Sequence, residues 1–391
     1  MKPPQKDRLT RLHRRYEEYF SGRPAVSFAL QYLDGTQILL GPSSPVFRLV
    51  SRNSSGDAAL DSQDRLVIGE AFMASAIDIE GDILVGMSVR GFFSDRHPVA
   101  WAKRFLPRIA EGRLRGDEKV IAAHYDNDAD FFLSFLDSRH RCYTQGSFAG
   151  EAESLEDAMS RKLTTALDSL RVNPGDCVLD VGGGWGAFLE FASRRGLHIT
   201  SLTLSQASAD YLRSLVAQES LSTATVVRRH LFDYRPDRRF DAIVNMGVTE
   251  HLPNYAATLR SYQRLLRPGG RIYIDALAMR KRHHVSSYMS KYIYPGDASP
   301  LILHRFLREV ARSPFSIEAI VDERENYYLT CKAWAQRLDK ARVDVEARWG
   351  RQMYRRYSAF LWGSASGFWT GHLDAYRLHL QLPDRGDAGR Y

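Results

Sequence analysis

Cysteine is scarce: there are three in 391 residues, Cys142, Cys177 and Cys331. They are too widely spaced for a metal-binding pattern or a disulfide framework, and such usage fits a reducing compartment. No run of 18 or more apolar residues occurs, which excludes an ordinary transmembrane helix. The opening stretch, MKPPQKDRLTRLHRRYEEYF, is charged where a secretory signal would be apolar. A cytoplasmic location is therefore expected. Internal repeats and low-complexity tracts are also absent. What is present is an ordinary apolar content of 44% and an excess of base, 54 Lys and Arg against 46 Asp and Glu, for a net charge of +8. That balance suits an anionic partner such as nucleic acid, a phospholipid surface or a phosphorylated substrate. It equally suits a solvated arginine-rich surface. The densest basic clusters are Arg280–His284 and Arg11, His13, Arg14 and Arg15.

Residues 1–20 read as a polar helix. VSFALQYL, Asp34-Gly35 and TQILL read as a hairpin, and VFRLV as a third strand. SRNSSGD reads as turn material, and residues 62–94 as segments of helical spacing. Residues 1–118 are thus expected to form a small α+β domain. From about 119 the chain alternates strands and helices, the signature of an α/β doubly wound, Rossmann-like sheet. The expected strands are CVLDV, HITSLTL, ATVVRR, FDAIVNMG and GRIYIDAL. The expected helices include Leu155–Leu170, capped by Ser154, and ATLRSYQRLLRPGG, closed by Pro268-Gly269-Gly270. The aromatic-rich C-terminal part carries Trp334, Trp349, Trp362, Phe368 and Trp369, and the tail after Pro383 is expected to be disordered.

Asp180-Val181-Gly182-Gly183-Gly184-Trp185-Gly186 falls between a strand and a helix. Glycines there let the backbone approach a ligand closely, and the helix start offers unpaired N–H groups. The spacing lacks the third glycine of a dinucleotide fingerprint and suits a cofactor without a pyrophosphate. The next strand ends in Thr203-Leu204 with no acidic residue, so a simple ribose–carboxylate contact is unavailable there. The fourth strand runs into Glu250-His251, at the strand end where doubly wound folds bind ligands.

Several segments, in order, resemble the cyclopropane-fatty-acyl-phospholipid synthase family, which includes the mycolic acid cyclopropane synthases. Gly69-Glu70-Ala71-Phe72-Met73 resembles its GEAYM stretch. His124-Tyr125-Asp126, running on to Phe132 and Leu136-Asp137, resembles its HYD opening. VLDVGGGWG, LTLS and NMGVTEHL resemble its cofactor loop, second-strand end and SIG-x-x-EH segment. Lys291–Gly296 resembles KYIFPG, and Tyr327–Trp334 resembles Y-x-x-TL-x-x-W. The resemblance covers nearly the whole chain. It implies S-adenosylmethionine as cofactor and methyl transfer to the double bond of an unsaturated acyl chain of a phospholipid. It places cofactor contacts at Tyr143, Thr144, Asp180, Gly182, Gly184, Trp185, Gly186, Thr203 and Leu204. The sulfonium is already a strong electrophile, so positioning the alkene supplies much of the effect. The resulting carbocation needs an aromatic face and exclusion of water. A base then removes a proton from the added methyl group, a task the family gives to bound bicarbonate.

The sequence departs from the family at the bicarbonate ligands. Glu250 and Tyr327 match two of them. Gln145, within Tyr143-Thr144-Gln145-Gly146-Ser147-Phe148, stands where the family has Cys, and Asp275 stands where it has His. Cys142 would need a register shift to substitute. Gly183 replaces a family Cys, and Ser208 replaces a family Gln that contacts the cofactor. An Asp beside Glu250 adds negative charge and disfavours an anion, so bicarbonate is expected to bind poorly or not at all. Asp275 is then either the general base itself or a structural or substrate-binding carboxylate. Alternatively the cation loses a different proton or undergoes a hydride shift, giving a methyl-branched or methylene chain.

Three other classes compete. A nucleic-acid methyltransferase is disfavoured, because the chain has no Asn-Pro-Pro-Tyr-like motif and no Cys beside a Pro. A non-catalytic lipid-binding relative would keep the cofactor and lose turnover. A C-methyltransferase acting on a specialised-metabolite alkene stays open, because no motif marks the apolar tunnel that decides the substrate. The resemblance also associates the small domain with lipid handling and homodimer contact. The cluster at 280–284 suits anionic headgroups at the inner membrane surface.

Overall fold

The computed structural model describes residues 3–95, 129–280, 286–293 and 299–384. The His124–Asp128 stretch, the basic residues Lys281–His284, the Tyr294–Gly296 stretch, the expected boundary at 118 and the tail after 384 lie outside them. Two compact units interleave along the sequence. One comprises Met1–Pro107, Val285–Ile293 and Leu338–Thr370; the other comprises Arg108–His284, Tyr294–Arg337 and Gly371–Tyr391. The sequence suggested one boundary, whereas the chain returns twice to the first unit.

The first unit begins with α1 (Pro3–Phe20) and a four-stranded sheet of β1 (Phe28–Gln31), β2 (Gln37–Leu40), β3 (Phe47–Ser51) and β4 (Ile77–Gly81), in the order β2-β1-β3-β4. β1 and β2 form the expected hairpin around Asp34-Gly35, where the Asp34 carboxylate accepts from Thr36 N at 2.9 Å. Between β3 and β4 lie α2 (Ser54–Ser62) and α3 (Arg65–Met73), and α4 (Ile83–Ser88) follows β4. The stretch read as turn material starts α2, because the Asn53 side chain caps it through Gly56 N. β4 was read as helical spacing; Ile77 and Ile79 alternate with acids along it. Two later segments join this unit through polar contacts. Glu70 accepts from Lys291 Nζ and Tyr292 Oη, each at 2.7 Å, so two family-like motifs meet here. Arg355 donates to the carbonyls of Phe72 and Ile77 at 2.9 and 3.0 Å and pairs with Asp78.

The second unit opens with α5 (Ala129–Leu133) and α6 (Leu155–Leu170), and its sheet has seven strands. In chain order come β5 (Cys177–Val181), α7 (Ala187–Ser193), β6 (His198–Thr203), α8 (Gln206–Gln218), β7 (Ala224–Arg228), β8 (Phe240–Met246), α9 (Tyr255–Leu265) and β9 (Leu266–Ala278). They are followed by α10 (Leu303–Val310), β10 (Ser316–Asp322), α11 (Arg324–Lys340) and β11 (Asp374–Gln381). The order is β10-β11-β9-β8-β5-β6-β7, with β11 antiparallel to both of its neighbours. The doubly wound α/β expectation holds. All five residues of β5 are buried, as a central parallel strand covered on both faces requires. Strand alternation sends Leu179, Ile243 and Ile272 to one apolar layer and Val178, Val244 and Tyr273 to the other. The α9 helix stops at Leu265, and Pro268-Gly269-Gly270 belongs to the β9 run rather than to a helix cap. The β10–β11 pair was missed, although Leu378, Leu380 and Leu382 alternate with polar residues there. No helix among the described residues is long and apolar enough to cross a membrane.

The α6 and α11 helices are joined by a two-pronged ion pair. Arg337 donates to both oxygens of Glu156, at 2.9 and 2.7 Å, while Ser138 N donates to the same carboxylate at 3.0 Å. The Arg337 hydrogen bonds hold the Glu156 carboxyl down at about 2. A carboxyl depressed by folding stabilises above its unfolded value and loses that contribution as pH falls through its folded value. Glu156→Gln is therefore expected to cost about 1–2 kcal/mol at neutral pH. In chemical denaturation the gap from wild type should close as pH drops from about 4.5 towards 2.

Candidate active site

Strands β5, β6 and β7 run to one side of the sheet, and β8 returns to the other side of β5. The loops after β5 and β8 therefore diverge, and a crevice opens at that switch point. Its walls come from strand ends: Gly182 and Gly184 after β5, Thr203 and Leu204 after β6, and Val248 and His251 after β8. Four of the residues expected to contact a cofactor thus share one cleft. Ser208 and His230 join them. Ser208 donates to the Gly184 carbonyl at 2.8 Å, so this replacement for a family Gln braces the loop.

The glycine loop is shaped by close packing. Gly182 has φ +86°, and a Cβ on it would lie 2.1 Å from Val248 Cγ2. Gly184, at φ +51°, has only the Gly182 carbonyl within 4 Å of such an atom, at 3.8 Å, and so faces open space. The remaining loop residues support rather than line the cleft. Asp180 is buried and accepts from Ser201 Oγ at 2.6 Å, tying β5 to β6; burial lifts its carboxyl to about 6. Gly186 starts α7 at φ +84°. Trp185 is buried and its carbonyl accepts from Arg141, which also pairs with Glu190.

Trp185 belongs to a chain of aromatic rings. Phe132 lies 5.6 Å from Trp185 and 5.2 Å from Tyr143, and Tyr143 lies 5.4 Å from Trp334, centroid to centroid. Trp334 sits on α11, whose first turns also carry Asn326, Tyr327 and Thr330. Thr330 Oγ1 accepts from Gly146 N at 2.9 Å, and Asn326 Oδ1 accepts from Phe148 N at 2.8 Å. That helix face holds the 143–148 segment in place, and half-buried Tyr327 shares it. Gln145 is buried, and its Oε1 has no hydrogen-bond partner.

A group that the sequence reading missed dominates the interior. Lys162 on α6 is fully buried, and its Nζ lies 3.0 Å from Asp275 Oδ2. The same ammonium reaches Thr144 Oγ1 and, at 3.9 Å, Cys142 Sγ. Thr144 and Cys142 accept from the ammonium, and Asp275 stands beside it as counter-ion. Burial opposes the charge on Lys162, but Asp275, Cys142 and Glu323 together outweigh it and the pKa rises. Burial likewise raises the Asp275 carboxyl, against the pull of Lys162. Asp275 thus stands near enough to Glu250 to raise its carboxyl, as expected, and has Lys162 as its own counter-ion. Behind this pair, Glu323 binds Arg377 at 2.8 Å. The signal for Lys162 was present, since it occupies the apolar stripe of Leu155, Met159, Leu163, Ala166 and Leu170 on α6.

Glu250 lies in the short turn Thr249–His251, between cleft-lining Val248 and His251. It is 7% exposed. Its Oε1 accepts from Leu277 N at 2.6 Å, two residues beyond Asp275, while Oε2 has no hydrogen-bond partner. Burial, with Asp275 nearby, pushes its carboxyl up to about 8. Lys162→Met should leave Asp275 buried without its cation and destabilise the chain by about 3–5 kcal/mol. Urea unfolding measures this, and a loss below 1 kcal/mol (roughly the surface-pair range) would show the pair to be hydrated.

Comparison with known proteins follows the same lines. Residues 113–378 match the family described as mycolic acid cyclopropane synthetase. A Mycobacterium tuberculosis protein named "Probable fatty acid methyltransferase" is 28% identical over 291 residues, covering 72% of this chain and 67% of that protein. A Pseudomonas putida protein with the same name is 26% identical over 377 residues, covering 90% of this chain and 91% of its own length. The crystal structure of mycolic acid cyclopropane synthase CmaA1, complexed with SAH and CTAB, superposes with a TM-score of 0.62 at 26% identity, over 68% of this chain and 98% of that one. The chain belongs to the mycolic acid cyclopropane synthetase family of S-adenosylmethionine-dependent methyltransferases.

Proposed function

We propose that the protein transfers the methyl group of S-adenosylmethionine to a carbon–carbon double bond in an unsaturated acyl chain of a phospholipid, giving a cyclopropane or methyl-branched chain. The observation that carries this reading is the arrangement at the switch point. A glycine-walled cleft adjoins a water-excluded layer of aromatic rings and paired charges. The cleft fits the cofactor because Gly184 leaves open space where any side chain would intrude, and polar Thr203, Ser208 and His230 rim it. When bound there, the cofactor supplies an electrophilic methyl group.

The residues divide by task. Gly182, Gly184, Thr203 and Leu204 hold the cofactor directly, while Asp180, Trp185, Gly186, Tyr143 and Thr144 keep the loop and its surroundings in shape. The rings of Phe132, Tyr143, Trp185 and Trp334 present an apolar, electron-rich wall suited to an alkene and to positive charge developing on it. Buried Glu250, Gln145, Asp275 and half-buried Tyr327 are the polar groups available to a reacting chain, and bicarbonate is not among the required partners. Names of relatives point the same way, two being fatty acid methyltransferases and one a mycolic acid cyclopropane synthase. Exposed Arg11, His13 and Arg14 on α1 suit peripheral contact with anionic headgroups.

Incubation with trideuteromethyl S-adenosylmethionine and unsaturated phospholipids, followed by mass spectrometry of the acyl chains, tests this reading. Two retained deuterons, in a product resistant to mild hydrogenation, are expected for a ring; three indicate a methyl branch. Absence of label in every lipid would reject the phospholipid reading, in favour of another alkene or a binding protein without turnover.

A further inference from the structure

Glu250 is a buried carboxylate held through one oxygen alone. Leu277 N fixes Oε1 at 2.6 Å, and Oε2 is left without a hydrogen-bond partner although the residue is 7% exposed. A buried acceptor left unmade is costly, and such groups call for an explanation. The neighbouring carboxylates are committed elsewhere, Asp275 to Lys162 at 3.0 Å and Glu323 to Arg377 at 2.8 Å. Glu250 also lies in the turn whose flanking residues, Val248 and His251, wall the cleft.

We propose that Glu250 is the general base of the reaction, taking the proton from the alkylated substrate on its free Oε2, while Lys162 holds Asp275 out of that role. The inference rests on the methyl-transfer reading above. In the step, a C–H bond of the newly added methyl group breaks and its electron pair fills the empty orbital of the cationic carbon, closing the ring. The proton goes to Oε2, and the carboxylate becomes a neutral carboxyl. Among the described residues, the charged groups acting on Glu250 are Asp275 from β9 and Lys162 from α6, of opposite effect. Burial therefore decides its protonation and keeps it neutral until a cation arrives nearby, its carboxyl standing at about 8. A sulfonium in the cleft favours the ionised form, so the base is generated when the cofactor binds.

Proton release on binding reads this without any lipid. Calorimetry in buffers of different ionisation enthalpy should show S-adenosylmethionine releasing about one more proton at pH 7 than S-adenosylhomocysteine, whose sulfur is uncharged. The excess should vanish as pH rises past about 8. It should also vanish in Glu250→Gln, which is expected to bind S-adenosylhomocysteine with near-normal affinity and to lose turnover by about 100-fold or more. Equal release with the two ligands by wild type, or an unchanged excess in Glu250→Gln, would overturn the proposal. If Glu250→Gln fails to bind S-adenosylhomocysteine, the wild-type pH series decides alone. Should no lipid be labelled while the excess release is seen, the substrate reading fails and the assignment of Glu250 as the ionising group stands.

Discussion

A lysine ammonium cut off from water must find acceptors for all its protons, and the catalytic unit is arranged to provide them. Lys162 reaches Asp275, Thr144 and Cys142, which lie on β9 and in the segment before α6. That one cation therefore ties together the strand following α9, the 142–148 segment and α6. Such a pair adds little net stability over a well-packed apolar core, but breaking it is expensive. Asp275 is paired with Lys162 and Glu323 with Arg377, whereas Glu250 Oε2 has no hydrogen-bond partner.

The cleft follows from topology more than from any particular side chain. Once β8 turns back beside β5, the loops after those strands must separate. At the strand ends, before they part, the two loops pass closely, and Gly182 allows this by having no Cβ to strike Val248. Glu250 is carried by the second of these loops. The cleft and the buried charges are thus neighbours because they share a strand end.

Much of this was legible in the sequence. Buried apolar runs gave the parallel strands, the glycine loop gave the cleft, and the ordered motifs gave the family, whose model spans residues 113–378. What escaped was long-range. Asp275 was visible as a substitution at a family histidine, but its partner stands 113 positions earlier (275 − 162) on a helix, where a lysine ordinarily reads as solvated. The division of the chain was hidden for the same reason: Lys291, Tyr292 and Arg355 are bound by Glu70, Asp78 and backbone carbonyls far away in sequence. Strand β10 was overlooked because none of its residues is buried, and β11 because its alternation follows a long helical stretch.

With Glu250 as the base, as proposed, the reaction has no need of a bicarbonate ion. Calorimetric titration of bicarbonate into the full chain saturated with S-adenosylhomocysteine tests this directly. The account predicts no saturable heat above dilution. Saturable, one-to-one binding that disappears in Glu250→Gln would contradict it and return the proton to a bound anion.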